Sequence, residues 1–124
     1  MDFSAFSEAK ERLCTYDSKF LPGSCHYEKV ETVMPAPLDD WLYKKLEKKT
    51  IDTWNGFGCT DYARFDFRLR NDKFYLLDIN PNNDISFDTS FAMAAGMMNY
   101  SYGQMVKRIV MMAAGRHPVF SDGF

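Results

Sequence analysis

Four polar residues inside an otherwise apolar hairpin are the part of this sequence best suited to chemistry. The stretch YARFDFRLRNDKFYLLDINPN, residues 62–82, alternates like two β-strands and contains Arg64, Asp66, Asp78 and Asn80. Carboxylate and amide oxygens suit Mg²⁺, which uses one or two protein carboxylates and completes its shell with phosphate oxygens and water. The alternative interpretation is a surface hairpin with an ordinary ion pair from Arg64 to either aspartate.

The register of the hairpin decides whether these groups meet, because strand side chains alternate between the two faces of a sheet. A two-residue turn divides the charged groups between the faces. A three-residue loop, residues 71–73, places Asp66 opposite Asp78 and Arg64 opposite Asn80, with Cβ atoms about 4.5–5.5 Å apart. We predict the three-residue loop and one polar cluster.

One helix is predicted before the hairpin and two after it. The first is capped by Asp39 or Asp40 and closed by Gly56 and Gly58. Its apolar positions follow helical spacing: Leu42, Leu46, Thr50 and Trp54. The segments SFAMAAGM and YGQMVKRIVMMAAGR predict the other two, and Ser101 starts the second of these. That last helix carries one apolar stripe: Met105, Ile109 and Met112.

The N-terminal third is predicted to be less regular. Ser4 is placed to cap a short helix over SAFSEAKERL. Residues 16–37 contain prolines and poor alternation, which predict irregular strand and loop. Because strands and helices are mixed rather than arranged as repeated βαβ units, the expected fold class is α+β. No internal repeat or linker divides the sequence, so we expect a single domain over residues 1–124.

Composition and charge argue against several function classes. A formal net charge of −2 argues against binding nucleic acid or an anionic membrane through bulk charge. Three cysteines without C-x-x-C spacing suggest neither a disulfide framework nor a structural zinc site. No apolar run is long enough for a membrane span, and the first residues do not look like a secretory leader. We therefore expect a cytoplasmic protein.

The order of the motifs resembles the C-terminal part of ATP-grasp ligases, most nearly the D-alanine–D-alanine ligase family. The segments that carry the resemblance are YDSKFLPGS, GCTDYARFDFRL, FYLLDINPN, DTSF and MNYSYGQMVKRIV. Each is weak alone, but the five follow the family's order from about Tyr16 to about Arg116, and residues 1–15 match poorly. The resemblance implies a partial ATP-grasp fold, roughly the last third of a ligase, with an antiparallel hairpin packed by helices.

The resemblance also implies an activity, the ATP-dependent joining of a carboxylate and an amine through an acyl phosphate, with Mg²⁺ or Mn²⁺. Asp66, Asp78 and Asn80 match metal-binding positions of the family. Arg64 matches the arginine that stabilises the negative charge developing during the reaction. Lys19 matches a lysine that approaches ATP phosphate, and its alternative role is that of an ordinary surface lysine.

Three further positions have competing interpretations. Leu77 matches an apolar residue that borders the adenine, while strand alternation favours a place for it in the core. Thr89 and Ser90 are candidates for contact with the second substrate, and helix capping is their competing role. Asp84 stands where the family has a glycine whose backbone amide helps to hold an oxyanion, and Asn83 stands where it has a proline. A negative side chain there disfavours an anion nearby.

Asp78 replaces the family's usual glutamate with a shorter arm, which leaves the number of metal ions open. The family's glycine-rich lid is not recognisable, since all seven glycines are scattered. We therefore expect this chain to be inactive alone, with ATP and small carboxylate and amine substrates belonging to the full enzyme. The alternative is a non-catalytic relative that acts as a binding or interaction module. Eight methionines and terminal aromatic residues predict self-association through the face that a missing subdomain would cover.

Overall fold

The computed structural model describes residues 1–120, except for the side chains of Lys19 and Phe20. The chain forms two compact units, Met1–Leu38 and Asp39–Phe124. A single domain over residues 1–124 stays a prediction. After a single 3₁₀ turn at Ala9–Glu11, the elements in chain order are α1 (Tyr16–Phe20), α2 (Cys25–Lys29), α3 (Asp40–Gly56), β1 (Arg64–Arg70), β2 (Lys73–Asn80), α4 (Ser90–Met97) and α5 (Tyr102–Ala114).

The three helices predicted in the second unit are confirmed. Asp39 occupies the N-cap position of α3, although its side chain makes no capping hydrogen bond. Leu42 is buried on the inner face of α3, and Gly58 just beyond the helix has a φ of +62°, which a residue without Cβ adopts easily. Ser101 starts α5 with a reciprocal pair of hydrogen bonds to Gln104. The helices form where caps and apolar spacing agree.

The hairpin turn differs from the prediction. Arg70 pairs directly with Lys73, so the turn has two residues rather than three. Its residues, Asn71 and Asp72, have φ of +49° and +58°. Positive φ at both central positions matches the right-handed twist of a two-residue hairpin, and Asn and Asp tolerate it better than most side chains. The three-residue loop was therefore wrong.

A β-bulge at Leu77 nevertheless produces the predicted pairing. Phe67 pairs with Leu76 and Asp66 pairs with Asp78, so Leu77 is an extra residue in β2. An extra residue shifts the alternation of its strand by one, which turns the side chains that follow to the opposite face. Leu77 itself is 66% exposed, and its expected place in the core was wrong.

The bulge divides the hairpin into two chemically distinct faces. The apolar face carries Phe65, Phe67, Leu69, Phe74, Leu76 and Ile79. The polar face carries Arg64, Asp66, Arg68, Arg70, Lys73, Tyr75, Asp78 and Asn80. Trp54 of α3 meets Phe65 edge-on, with ring centroids 6.4 Å apart, and Phe67 meets Phe74 in the same way at 6.4 Å. The apolar face is thus half-buried, except for exposed Leu69, and it contacts α3 through Trp54.

The N-terminal unit is where the predictions failed most. The helix expected from Ser4 is replaced by the 3₁₀ turn at Ala9–Glu11, and the Arg12 side chain donates to the carbonyls of Phe6 and Ser7 at 3.0 and 3.3 Å. Those carbonyls are then engaged by a side chain instead of by the amides one helical turn later. Two short helices, α1 and α2, form at the start of the segment expected to be irregular strand and loop, while residues 30–37 are irregular as predicted apart from an isolated bridge at Glu31. Their N-caps are Thr15 and Ser24, whose side chains accept amide hydrogen bonds.

Large apolar side chains remain exposed in the second unit. The residues concerned include Trp41, Ile51, Phe57, Phe87, Met98 and Val110. Leu42 and Met105 are buried there, and α4 packs against α5. Among residues 1–120, no helix has the length and apolarity needed to cross a bilayer.

Candidate metal and phosphate site

Four residues meet at the end of the polar face that lies away from the turn. Asp66 stands opposite Asp78, and Arg64 stands opposite Asn80. We call these four residues the acidic cluster. Directly opposed residues of an antiparallel pair have Cβ atoms about 4.5–5.5 Å apart, so their polar ends can reach a shared ligand. The sequence-predicted metal and charge-stabilising residues are thus brought together.

Arg64 makes the ion pair that the alternative interpretation required. Its Nε donates to Oδ1 of Asp66 at 2.9 Å and its Nη2 donates to Oδ2 at 3.1 Å. The two side chains are 38% and 45% exposed, so solvent weakens this contact. Within the described part of the chain, no ion pair or hydrogen bond involves the Asp78 carboxylate. Arg64 therefore pairs with Asp66 and leaves the Asp78 carboxylate without a partner among the described residues.

Asn80 is held by the loop that follows β2. Its Oδ1 accepts a hydrogen bond from the amide of Asn82 at 3.1 Å. The Tyr62 hydroxyl donates to Oδ1 of Asn82 at 3.1 Å and ties this loop to the segment before β1. A carbonyl oxygen has two lone pairs, so Asn80 keeps one for a cation or another donor.

Asn83 and Asp84 give that loop two unusual features. Asn83 is 3% exposed, and its Nδ2 donates to the Asp84 carbonyl at 3.2 Å. The Asn83 Oδ1 is buried with no partner among the described residues. Oδ1 of Asp84 accepts from the hydroxyl and the amide of Ser86 at 2.6 and 2.8 Å. These bonds, the hydroxyl's above all, lower the pKa of Asp84, so its side chain is negatively charged at neutral pH.

Three further residues that the sequence predicts to contact ligands are Lys19, Thr89 and Ser90. The Lys19 side chain lies outside the described residues, although its backbone belongs to α1. Thr89 caps α4 by accepting from the Ala92 amide at 3.5 Å, and it donates to the Ser86 carbonyl at 2.8 Å. Its capping role is confirmed, while contact of Thr89 or Ser90 with a second substrate stays a prediction.

The feature that sequence reasoning missed is the bulge. The sequence contains a signal of it. Phe74 and Leu76 are two residues apart, as on one face of a strand, but the next apolar residue of that face, Ile79, follows Leu76 by three. An apolar period of two that slips by one residue indicates an extra residue between. Within residues 1–120, no three His, Cys, Asp or Glu side chains come together as a possible metal site. The acidic cluster offers two carboxylates and the Asn80 amide oxygen as candidate ligands.

Comparisons with known proteins agree on one family. The family model described as D-ala D-ala ligase C-terminus matches residues 5–111. The D-alanine--D-alanine ligase of Syntrophotalea carbinolica is 31% identical over 101 residues, covering 82% of this chain and 32% of the relative. The ligase of the same name from Pseudothermotoga lettingae is 32% identical over 107 residues, with 84% and 33% covered.

A third relative, the D-alanine--D-alanine ligase of Buchnera aphidicola, is 29% identical over 102 residues. No solved structure gave a significant match. The chain spans about a third of the length of these curated relatives. Because the family model covers most of the sequence, and with it the whole hairpin, this chain belongs to the D-alanine–D-alanine ligase C-terminal family.

Proposed function

We propose that this chain is the metal- and phosphate-binding part of an ATP-dependent carboxylate–amine ligase resembling D-alanine–D-alanine ligase. The observation that carries the proposal is the pairing of Asp66 with Asp78 and of Arg64 with Asn80 on one exposed face. An ion pair alone does not account for a second, uncompensated carboxylate directly opposite the first, because opposed like charges destabilise a sheet. A bound cation supplies the missing positive charge.

The donor set of the acidic cluster fits Mg²⁺ or Mn²⁺. Asp66 and Asp78 supply carboxylate oxygens and Asn80 supplies a carbonyl oxygen, which are the ligand types that hard divalent cations take. Such a cation neutralises the charge of phosphate oxygens when it is bound. Asp78 is exposed and has no ion pair with any side chain that the structure describes, so it is the first of the three to be available. Both carboxylate oxygens of Asp66 accept hydrogen bonds from Arg64. Asp66 therefore binds a cation only if an oxygen contacts the cation and Arg64 together, or if a hydrogen bond to Arg64 breaks.

Arg64 has a second role in this proposal. Its guanidinium is already held at the cluster by two hydrogen bonds to Asp66. A fixed cation near transferring phosphate and acyl groups lowers the cost of the negative charge that develops there. Arg64 therefore stabilises the reacting groups while Asp66 orients it. In the first step the substrate carboxylate attacks the γ-phosphorus of ATP and displaces ADP, which gives the acyl phosphate, and in the second step the amine displaces phosphate from the acyl carbon.

The remaining assignments complete the picture of the full enzyme. Lys19 approaches the ATP phosphates and Leu77, exposed at the bulge, borders the adenine. Thr89 and Ser90 face the amine substrate near the start of α4. ATP and small carboxylate and amine substrates are the partners, the cytoplasm is the location, and this chain alone is inactive because it lacks much of a nucleotide clamp.

Isothermal titration calorimetry with ADP in Mg²⁺ tests the proposal. We expect weak binding that falls at least 10-fold in Asp66→Asn/Asp78→Asn and disappears when EDTA removes the cation, as removal of a metal-bridged phosphate contact predicts. Asp52→Asn on α3 is the control, because it removes a carboxylate of the same unit far along the chain from the hairpin. Equal affinity in all three proteins, or no binding by a folded wild type, would overturn the proposed site.

A non-catalytic binding module is the second candidate, and Asp84 is the observation that favours it. The charged Asp84 carboxylate stands where the family places a glycine, beside the loop that holds Asn80, and a negative charge there opposes an oxyanion. Asp84→Gly separates the two candidates when placed in the full-length protein. Ligase activity in the unaltered protein establishes the enzyme, whereas activity that appears only in Asp84→Gly indicates a retired site.

Self-association through exposed apolar side chains is a further part of the proposal. Phe87 and Met98 are 75% and 72% exposed, and contiguous apolar surface favours association. Sedimentation velocity at several concentrations tests this. A single monomeric species throughout would contradict it.

A further inference from the structure

The turn end of the polar face carries three positively charged side chains. Arg70 pairs with Lys73 and Arg68 pairs with Tyr75, on the same face as Asp66 and Asp78. We call Arg68, Arg70 and Lys73 the basic strip. All three are exposed, and Tyr75 beside them is 51% exposed.

The pairing of Arg70 with Lys73 is unfavourable within the protein. Like charges directly opposite each other destabilise a β-ladder, and neither residue makes an ion pair within the part of the chain described. The acid nearest in sequence, Asp72, lies in the turn, where its carbonyl accepts a hydrogen bond from Lys45 at 2.6 Å. Lys45 brings a further positive charge to this end of the hairpin.

The basic strip continues directly from the acidic cluster. Strand residues rise about 3.4 Å each, so the Cα atoms of Arg68 and Arg70 lie about 7 and 14 Å from that of Asp66 along β1. A ligand that extends along the polar face therefore meets first the cluster and then three cations. A substrate with one small carboxylate does not reach from one to the other.

We propose that the basic strip binds a second anionic group of the substrate, which makes this site one for an acidic substrate that carries an additional phosphate or carboxylate. The inference rests on the proposed function for the reacting end of that substrate. Arginine binds either anion through paired N–H donors, and lysine adds a point charge. Anion binding also offsets the repulsion between Arg70 and Lys73.

NMR titration of the magnesium-free chain, at constant ionic strength set with chloride, tests the strip by itself. Inorganic phosphate and glutarate are the two probes, one for a phosphate group and one for a carboxylate. We expect amide shifts centred on Arg68, Arg70 and Lys73, and affinity weakened about 5-fold in Arg70→Gln/Lys73→Gln as two exposed charge contacts are lost. The tighter probe identifies the anionic group.

Lys44→Gln/Lys49→Gln on α3 is the matched control, since it removes the same charge from the same unit and leaves the polar face intact. Equal weakening in both double variants, or no shifts at the strip with either probe, overturns the inference. Asp66→Asn/Asp78→Asn keeps phosphate binding at the strip if the inference holds. Magnesium-dependent ADP binding tests the proposed function, and anion binding at the basic strip tests this inference. The two are measured separately, so one can be contradicted while the other holds.

Discussion

The two ends of the polar face have opposite electrostatic designs. Near the open end, Arg64 is paired to Asp66 and a second carboxylate, Asp78, remains opposite. Near the turn, Arg70 and Lys73 face each other, and neither makes an ion pair among the described residues. Both ends place like charges opposite each other, which costs stability in a sheet. The comparison suggests that each end is arranged for a ligand, a cation at one and an anion at the other.

Insertion of one alanine between Asp66 and Phe67 is the strongest way to break this arrangement. The inserted residue pairs with Leu77 and removes the bulge, so strict alternation must turn either Asp66 and Asp78 toward the apolar face or Phe67 and Leu76 toward the polar face. We expect a loss of about 2–3 kcal/mol in the free energy of unfolding, since apolar side chains of the partly buried face lose contact. Urea denaturation measures it.

Deletion of Leu77 is the control for that insertion. It also removes the bulge, but the pairs on either side keep their partners and faces, and the side chain that is lost is 66% exposed, so the expected cost is below about 1 kcal/mol. An insertion variant as stable as the deletion variant would show that the bulge does not fix which side chains face α3.

Arg64→Ala probes the open end alone. It leaves two opposed carboxylates without their neutralising charge, and we expect a destabilisation of about 1 kcal/mol in the absence of divalent cations. In an Asp78→Asn background the cost should fall to roughly half, because one carboxylate is gone. Thermal unfolding of the four proteins of this double-mutant cycle measures the coupling, and additive effects would contradict the repulsion.

Lys73→Glu probes the turn end. It converts a like-charge pair into an opposite-charge pair, so we expect a stabilisation of about 0.5 kcal/mol at low salt. The gain should shrink as salt screens exposed charges. Arg70→Lys retains both charges and should leave the stability within about 0.5 kcal/mol of the wild type. A destabilised Lys73→Glu protein would mean that the strip is already neutralised.

Ser86→Ala is expected to have the smallest effect. The Ser86 hydrogen bonds lower the pKa of Asp84 below its ordinary value of 3.8. A lowered folded-state pKa contributes stability that is present above the unfolded pKa and is lost as pH falls through the folded value. Removal of the hydroxyl should raise the pKa of Asp84 toward 3.8 and reduce this loss in acid. Carboxyl ¹³C NMR titration of the wild type and of Ser86→Ala checks it.

The sequence predicted the second unit better than the first for physical reasons. Caps at Ser101 and Thr89 and a regular apolar period identify helices locally, and α3, α4 and α5 formed there. In the first unit the outcome depends on an Arg12 side chain that engages the carbonyls of Phe6 and Ser7. Such contacts have no periodic signature.

The sequence predicted which residues of the hairpin come together, but it predicted the wrong turn as the cause. A longer loop and a bulge both bring Asp66 opposite Asp78, and only the break in apolar spacing at Leu77 distinguishes them. Asn71 and Asp72 tolerate the positive φ of a two-residue turn, and this turn chemistry favours the bulge. The roles of Lys19, Leu77, Thr89 and Ser90 depend on ligands and stay predictions.

Paramagnetic broadening by Mn²⁺ tests the central claim most directly, because it reports where a divalent cation sits on the folded chain. The account predicts that substoichiometric Mn²⁺ broadens the amides of Asp66, Asp78 and Asn80 first and spares Asn71 and Asp72 at the turn. Broadening centred on another exposed acid, or none at the cluster while the hairpin is folded, would contradict the claim that the bulge assembles a metal site.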